Sequence, residues 1–150
     1  MHNYDPKKAA AVWQRVQGQT PPVPDQSTLL TLIAQEQEDA AVYLHLSRQF
    51  QGEDAAALRQ MAHQEQSHAA CLRGIYALLT GKKPALHTPP AARENRQTLL
   101  RRCYGREMQS FAQYQSRASD PEYGHIFARL AAQEQEHCHT LLHILGNQNN

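Results

Sequence analysis

The 150-residue chain has little cysteine, little glycine, one tryptophan and no excess of charge. Each shortage excludes something. The three cysteines, Cys71, Cys103 and Cys138, are an odd number with no C-x-x-C pair, which argues against a disulfide framework or a four-cysteine metal module. No apolar run approaches the ~18 residues of a membrane span, and the N-terminus has no continuous apolar stretch of the kind a secretion signal needs. A cytoplasmic protein is therefore expected, with no membrane partner. Fifteen basic residues against fourteen acidic ones give a formal net charge of +1. The basic pairs Lys7/Lys8, Lys82/Lys83 and Arg101/Arg102 are too short and scattered to track a phosphate backbone, so no nucleic-acid partner is expected. Strand-like alternation, a glycine-rich phosphate loop and a Ser/His/Asp motif are also missing.

What is present is helical periodicity. The pattern predicts an all-α fold, a four-helix bundle at 26–146, preceded by an N-terminal segment at 1–25 and followed by a polar tail at 147–150. The first segment places Val12, Trp13 and Val16 at helical spacing and breaks at Thr20-Pro21-Pro22-Val23-Pro24, which suggests a short helix folded back through Trp13. Helix one is expected from Asp25 or Ser27, both good N-caps, to Phe50, and helix two from about Asp54 to Thr80, with Gly81 just beyond its end. Helix three is expected from about Ala91 to Ser119. Helix four begins with Asp120 as N-cap and Pro121 in the first turn, and ends at Gly146. Short turns make helices one and two an antiparallel hairpin, and three and four another. The proline-rich linker 81–90 is long enough, at ~3.1 Å per extended residue, to cross the length of a bundle.

Polar residues interrupt the apolar stripes at their centres. In helix two the stripe Leu58, Met61, Leu72, Ile75, Leu79 has Glu65 and His68 where leucines would stand; in helix four Glu134 and His137 break the stripe Ile126, Leu130, Leu141, Leu145. Glu36 falls on the inward stripe of Leu29, Ile33, Ala40, Tyr43 and Phe50, and Glu107 on that of Leu100, Cys103, Phe111, Tyr114 and Ala118. The two hairpins look like copies. Each lone Glu is followed seven residues later by a tyrosine, Tyr43 or Tyr114, and after 29 or 27 residues by the Glu of an E-x-x-H pair. Two more such pairs, Glu122/His125 and Glu136/His139, fall on the outer face or in the first turn and are assigned to the surface.

A buried carboxylate without compensation costs several kcal/mol, so such groups pair or bind metal. Residues at i and i+3 share a helical face, so Glu65 with His68, and Glu134 with His137, can each hold a metal, while Glu36 and Glu107 bridge or complete the coordination. A buried Glu/His salt-bridge network is the competing reading; four carboxylates against two imidazoles would leave it short of positive charge. The cysteines read as small buried hydrophobes, with a role as auxiliary ligand or redox thiol left open.

The segments LIAQEQEDAAVY, MAHQEQSHAA, GREMQSFAQYQSRA and LAAQEQEHC together resemble the ferritin-like di-iron carboxylate family, and within it the rubrerythrin branch, over about residues 27–145. The resemblance implies a ferritin-like bundle with a long crossover between helices two and three. It implies two metal ions per chain, iron first and manganese or a mixed pair next, held by Glu36, Glu65, His68, Glu107, Glu134 and His137, with Glu65 and Glu134 able to bridge. Tyr43 and Tyr114 would hydrogen-bond the ligating carboxylates. The implied activity is reduction of peroxide or oxygen with electrons from an external donor such as a rubredoxin, and a homodimer is compatible with it. The alternative is a non-catalytic iron- or manganese-binding bundle for metal handling or sensing. Two departures bear on the peroxidase activity: Ser110 stands where relatives with that activity have a further carboxylate, and a rubredoxin domain is not expected in this sequence.

Overall fold

A computed structural model describes residues 6–8, 10 and 25–148. Four long helices form the bundle: α1 (Gln26–Ser47), α2 (Gly52–Thr80), α3 (Arg96–Ser116) and α4 (Gly124–Asn147). The expected docking of Val12, Trp13 and Val16 lies outside the described residues, although residues 6–8 and 10 are helical. No strand occurs among the described residues.

Local chemistry sets the helix ends. Asp25 caps α1 as expected, its carboxylate accepting from the Ser27 N–H and hydroxyl. α1 stops at Ser47 instead of Phe50, because the hairpin turn uses 48–51 and enters α2 through Gly52 at φ +62°. α2 ends at Gly81, whose left-handed backbone lets its N–H reach the Ala77 carbonyl at 2.8 Å. α3 begins five residues later than expected. Pro89 and Pro90 keep the preceding chain extended, and Asn95 caps the helix instead, accepting from the Thr98 N–H at 2.9 Å. Its last turn also gives way earlier, at Ser116 rather than Ser119. Asp120 caps a preliminary turn by accepting from the Glu122 and Tyr123 N–H groups, and regular α-helix begins only at Gly124.

The linker crosses the bundle. α2 runs back along α1, which leaves Thr80 near the end where α1 begins. The chain then passes the middle of α1, where the His87 N–H donates to Gln37 Oε1 at 2.9 Å and its ring meets Glu38 at 2.9 Å. At the far end of α1 the Arg96 guanidinium donates to the Gln49 carbonyl and lies over the Phe50 ring. α3 therefore starts where α1 ends, and the two run antiparallel.

All four helices contribute to two apolar clusters. One is built around Leu29, Leu32, Leu72, Tyr114, Phe127 and Leu130. The other is built around Tyr43, Leu46, Leu58, Leu99, Leu100 and Leu141. Between them the core turns polar.

Candidate metal centre

Each helix delivers its share of the polar layer by periodicity alone. Glu36 from α1, Glu65 and His68 from α2, Glu107 from α3, and Glu134 and His137 from α4 are all at most 2% exposed. His68 Nδ1 lies 2.7 Å from Glu134, 3.4 Å from Glu36 and 3.7 Å from Glu65. His137 Nδ1 lies 2.7 Å from Glu65 and 3.3 Å from Glu107. Glu36, Glu65, His68 and Glu134 bring one ligand atom each within 4.8 Å of one another, and Glu65, Glu107, Glu134 and His137 do the same. Glu65 and Glu134 belong to both sets, the placement expected of bridging carboxylates.

The donor set suits metal cations better than it suits itself. Both oxygens of Glu65 and Glu134, one oxygen each of Glu36 and Glu107, and His68 Nδ1 are buried without hydrogen-bonding geometry to any described residue, despite separations as short as 2.7 Å. Lone pairs that crowd together without bonding one another are aimed at a common point, as in a ligand shell of ~2 Å radius. Four ionised carboxylates would exceed two protonated imidazoles by two charges, so without cations the layer has to keep protons on two of its carboxyls.

The groups around this layer hold it in a metal-ready form. The Nε2 of His68 meets Gln133 Oε1 at 2.5 Å, and that of His137 meets Gln64 Oε1 at 2.6 Å. An amide oxygen only accepts, so each Nε2 carries a proton, and that bond fixes the ring with its Nδ1 turned inward toward the carboxylates. The Tyr43 hydroxyl donates to Glu107 and the Tyr114 hydroxyl to Glu36. Every one of these contacts joins one hairpin to the other, and every one has its image in the duplicate.

Burial dominates the protonation of the layer. It raises Glu65 and Glu134 well above the usual carboxylate range, with the charge of Glu36 adding to the effect. Burial also acts to raise Glu107, but the neighbouring Glu134, His137 and Tyr43 side chains outweigh it and bring that carboxyl below its usual value. For His68, burial opposes the imidazolium and the Glu36 carboxylate 3.4 Å away overcomes it, so the ring is raised. Both tyrosines are pushed far up, first by burial and then by the carboxylates they face.

A family model of rubrerythrin matches residues 28–145. The chain belongs to the rubrerythrin family. The match spans all four helices and all six residues of the polar layer, and the family is a ferritin-like di-iron one. No curated protein and no solved structure gives a significant match.

In this rubrerythrin-family bundle the remaining motif residues fall where periodicity placed them. His125, Glu136 and His139 are exposed, and Glu122 is half-buried outside the polar layer. Cys103 and Cys138 are buried, Cys71 is half-buried, and no described cysteine joins either ligand set. Ser110 is buried one turn after Glu107, and Asp39 occupies the equivalent place after Glu36. Sequence reasoning missed Asp39, Gln64, Gln133 and Arg106. The glutamines had a signal, since each directly precedes the Glu of its E-x-x-H pair. Asp39 had the inward register of Glu36 one turn on; burial raises it to about 8 although Arg106 donates to it at 2.6 Å. Among the described residues no helix is long and apolar enough to cross a membrane.

Proposed function

We propose that this chain is a di-iron oxidoreductase that reduces peroxide or oxygen with electrons taken from an external donor. The observation that carries the reading is the pair of four-residue donor sets sharing Glu65 and Glu134. Glu36 and His68 would hold one ion, Glu107 and His137 the other, and Glu65 and Glu134 both. Two ferrous ions held there supply two electrons to the oxidant.

The chain's own residues do the rest. Gln64 and Gln133 hold each imidazole by its Nε2, so that Nδ1 already faces the metal and no ring has to turn. Tyr43 and Tyr114 anchor one oxygen each of Glu107 and Glu36 and leave the other oxygen directed inward. Glu65 and Glu134 release their protons as cations bind, so the added positive charge is met by ligand carboxylates. The two apolar clusters above and below exclude water and keep reducing equivalents from leaking.

Stopped-flow mixing of diferrous protein with peroxide, and separately with oxygen, tests the reading. Oxidation faster than that of free ferrous ion, with about one peroxide consumed per chain and sustained turnover only when a donor is added, supports it. Oxidation no faster than free ferrous ion rejects it. The buried Ser110, where a further carboxylate would serve peroxidase chemistry, favours the second reading: a bundle that binds iron or manganese reversibly for metal handling.

A further inference from the structure

The polar layer is closed on most sides. The apolar clusters cover it at either end, and each hairpin packs its own two helices together along their length. Polar side chains span the gap between α1 and α3, as the His–Gln pairs span that between α2 and α4. A pocket of about 30 Å³ opens between α1 and α3, lined by Gln35, Asp39, Arg106, Gln109 and Ser110. Gln35 and Asp39 flank Glu36 on α1, as Arg106 and Ser110 flank Glu107 on α3. These residues are also duplicates: the 71-residue offset that relates Glu36 to Glu107 relates Gln35 to Arg106 and Asp39 to Ser110. The pocket thus sits at the level of both carboxylates, on the axis that exchanges the two halves.

The symmetry breaks at this place alone among the contacts of the layer. Where one half has the small Ser110, the other has Asp39, 3% exposed, and Arg106 reaches across to it. Arg106 Nε donates to Asp39 Oδ1 at 2.6 Å, and its NH2 donates to Glu38 Oε2 at 3.2 Å and to the Gln35 carbonyl at 3.5 Å. This bridge closes the gap from α3 to α1. Arg106 stays about one-third exposed, so it can swing outward without unfolding anything.

We propose that the Asp39–Arg106 pair is a polar gate over the metal centre, which passes hydrogen peroxide between α1 and α3 and turns away alkyl hydroperoxides. The inference rests on the di-iron reading above. Size supports it: about 10–15 Å³ of such volume holds one water, so the pocket takes about two atoms of that size, the length of an HO–OH molecule. Chemistry supports it too. A rim of amide, carboxylate, guanidinium and hydroxyl offers donors and acceptors to both ends of peroxide, and offers nothing to an alkyl group. Ser110 leaves the room that a longer side chain would take.

Two variants move the gate in opposite directions. Asp39→Ala widens it and Ser110→Val narrows it. Diferrous protein is mixed with hydrogen peroxide and with tert-butyl hydroperoxide. In each reaction the O–O bond is broken by two electrons from the ferrous pair and two solvent protons, giving two waters or water and the alcohol. A second readout needs no turnover: the association rate of azide with the cobalt(II)-loaded protein, followed by absorbance. Asp39→Ala should narrow the preference for hydrogen peroxide about ten-fold, and Ser110→Val should slow both peroxide oxidation and azide association about ten-fold, with cobalt content unchanged. Arg106→Gln repeats the widening arm if Asp39→Ala does not fold. Full cobalt loading with unchanged preference and unchanged azide rates overturns the gate and leaves the di-iron reading standing. A wild-type chain that takes up no cobalt overturns both.

Discussion

A single amide oxygen decides which nitrogen of each histidine faces the centre. Gln64→Leu and Gln133→Leu keep the side-chain length but remove the acceptor, so the ring is free to turn or to change tautomer. Each should weaken metal affinity about 10- to 100-fold, measured by competition with a chelator, without changing helical content. Glu65→Ala and His137→Ala should lower the amount of metal bound, whereas Glu136→Ala and His139→Ala, on the exposed face, should not. Equal loss in both groups would mean that the metal lies on the outer face. The thiols give an independent check of the packing. Burial raises Cys103 to about 12, with Asp39 adding to it, and raises Cys138 to about 11, so both stay protonated. In the folded protein a thiol reagent should modify Cys71 first, and Cys71→Ser should abolish that fast phase. At this scale the ligands were legible because a charged residue in an apolar stripe is a contradiction visible in one dimension. The glutamines showed only their place beside each Glu, since each serves the histidine of the opposite hairpin, and that pairing exists only once the hairpins face each other.

Helix ends show the converse. The hydrophobic stripe that marks a helix runs past its ends, so periodicity carried α1 to Phe50 and α3 back to Ala91. In the structure, local hydrogen bonds set the limits: the turn into Gly52 ends one helix, and the Asn95 side chain starts the other. Asn95→Ala should therefore cost about 1 kcal/mol in denaturant unfolding, while leaving metal content alone. The sharpest backbone contact is at the start of α4. A Cβ on Gly124 would lie 2.3 Å from the Ala118 carbonyl oxygen, and backbone cannot yield as a flexible side chain does. Gly124→Ala should destabilise the protein by about 1–3 kcal/mol. Gly105, in mid-α3 with nothing within 4 Å of a built Cβ, should respond in the opposite sense, Gly105→Ala gaining about 0.5–1 kcal/mol. If both substitutions destabilise equally, the close turn between α3 and α4 is not as described.

For the molecule as a whole, the function-bearing layer is a liability to folding until cations occupy it, and pH exposes that conflict. Glu65 and Glu134 hold their protons more tightly in the folded chain than in the unfolded one, and Asp39 is raised from 3.8 to about 8. As pH rises from the ordinary carboxylate range, the unfolded chain releases these protons first. The folded state binds more protons over that interval, so its stability falls with rising pH until the folded values are passed. The raised His68 acts in the same direction, its contribution being lost as pH rises through its folded value. Within the layer Glu107, lowered on folding, opposes the trend, and its contribution is already complete above the normal carboxylate range. Metal binding reverses the sign, because ligation requires the deprotonated carboxylates and the free energy of binding adds to that of folding. Chelator-treated protein should thus lose melting temperature between about pH 5 and 8, and protein saturated with manganese or cobalt should gain it over the same interval. A chelated protein that grows more stable from pH 5 to 8 would mean that the four carboxylates are already compensated by the chain itself, and the layer would then be a salt-bridge network after all.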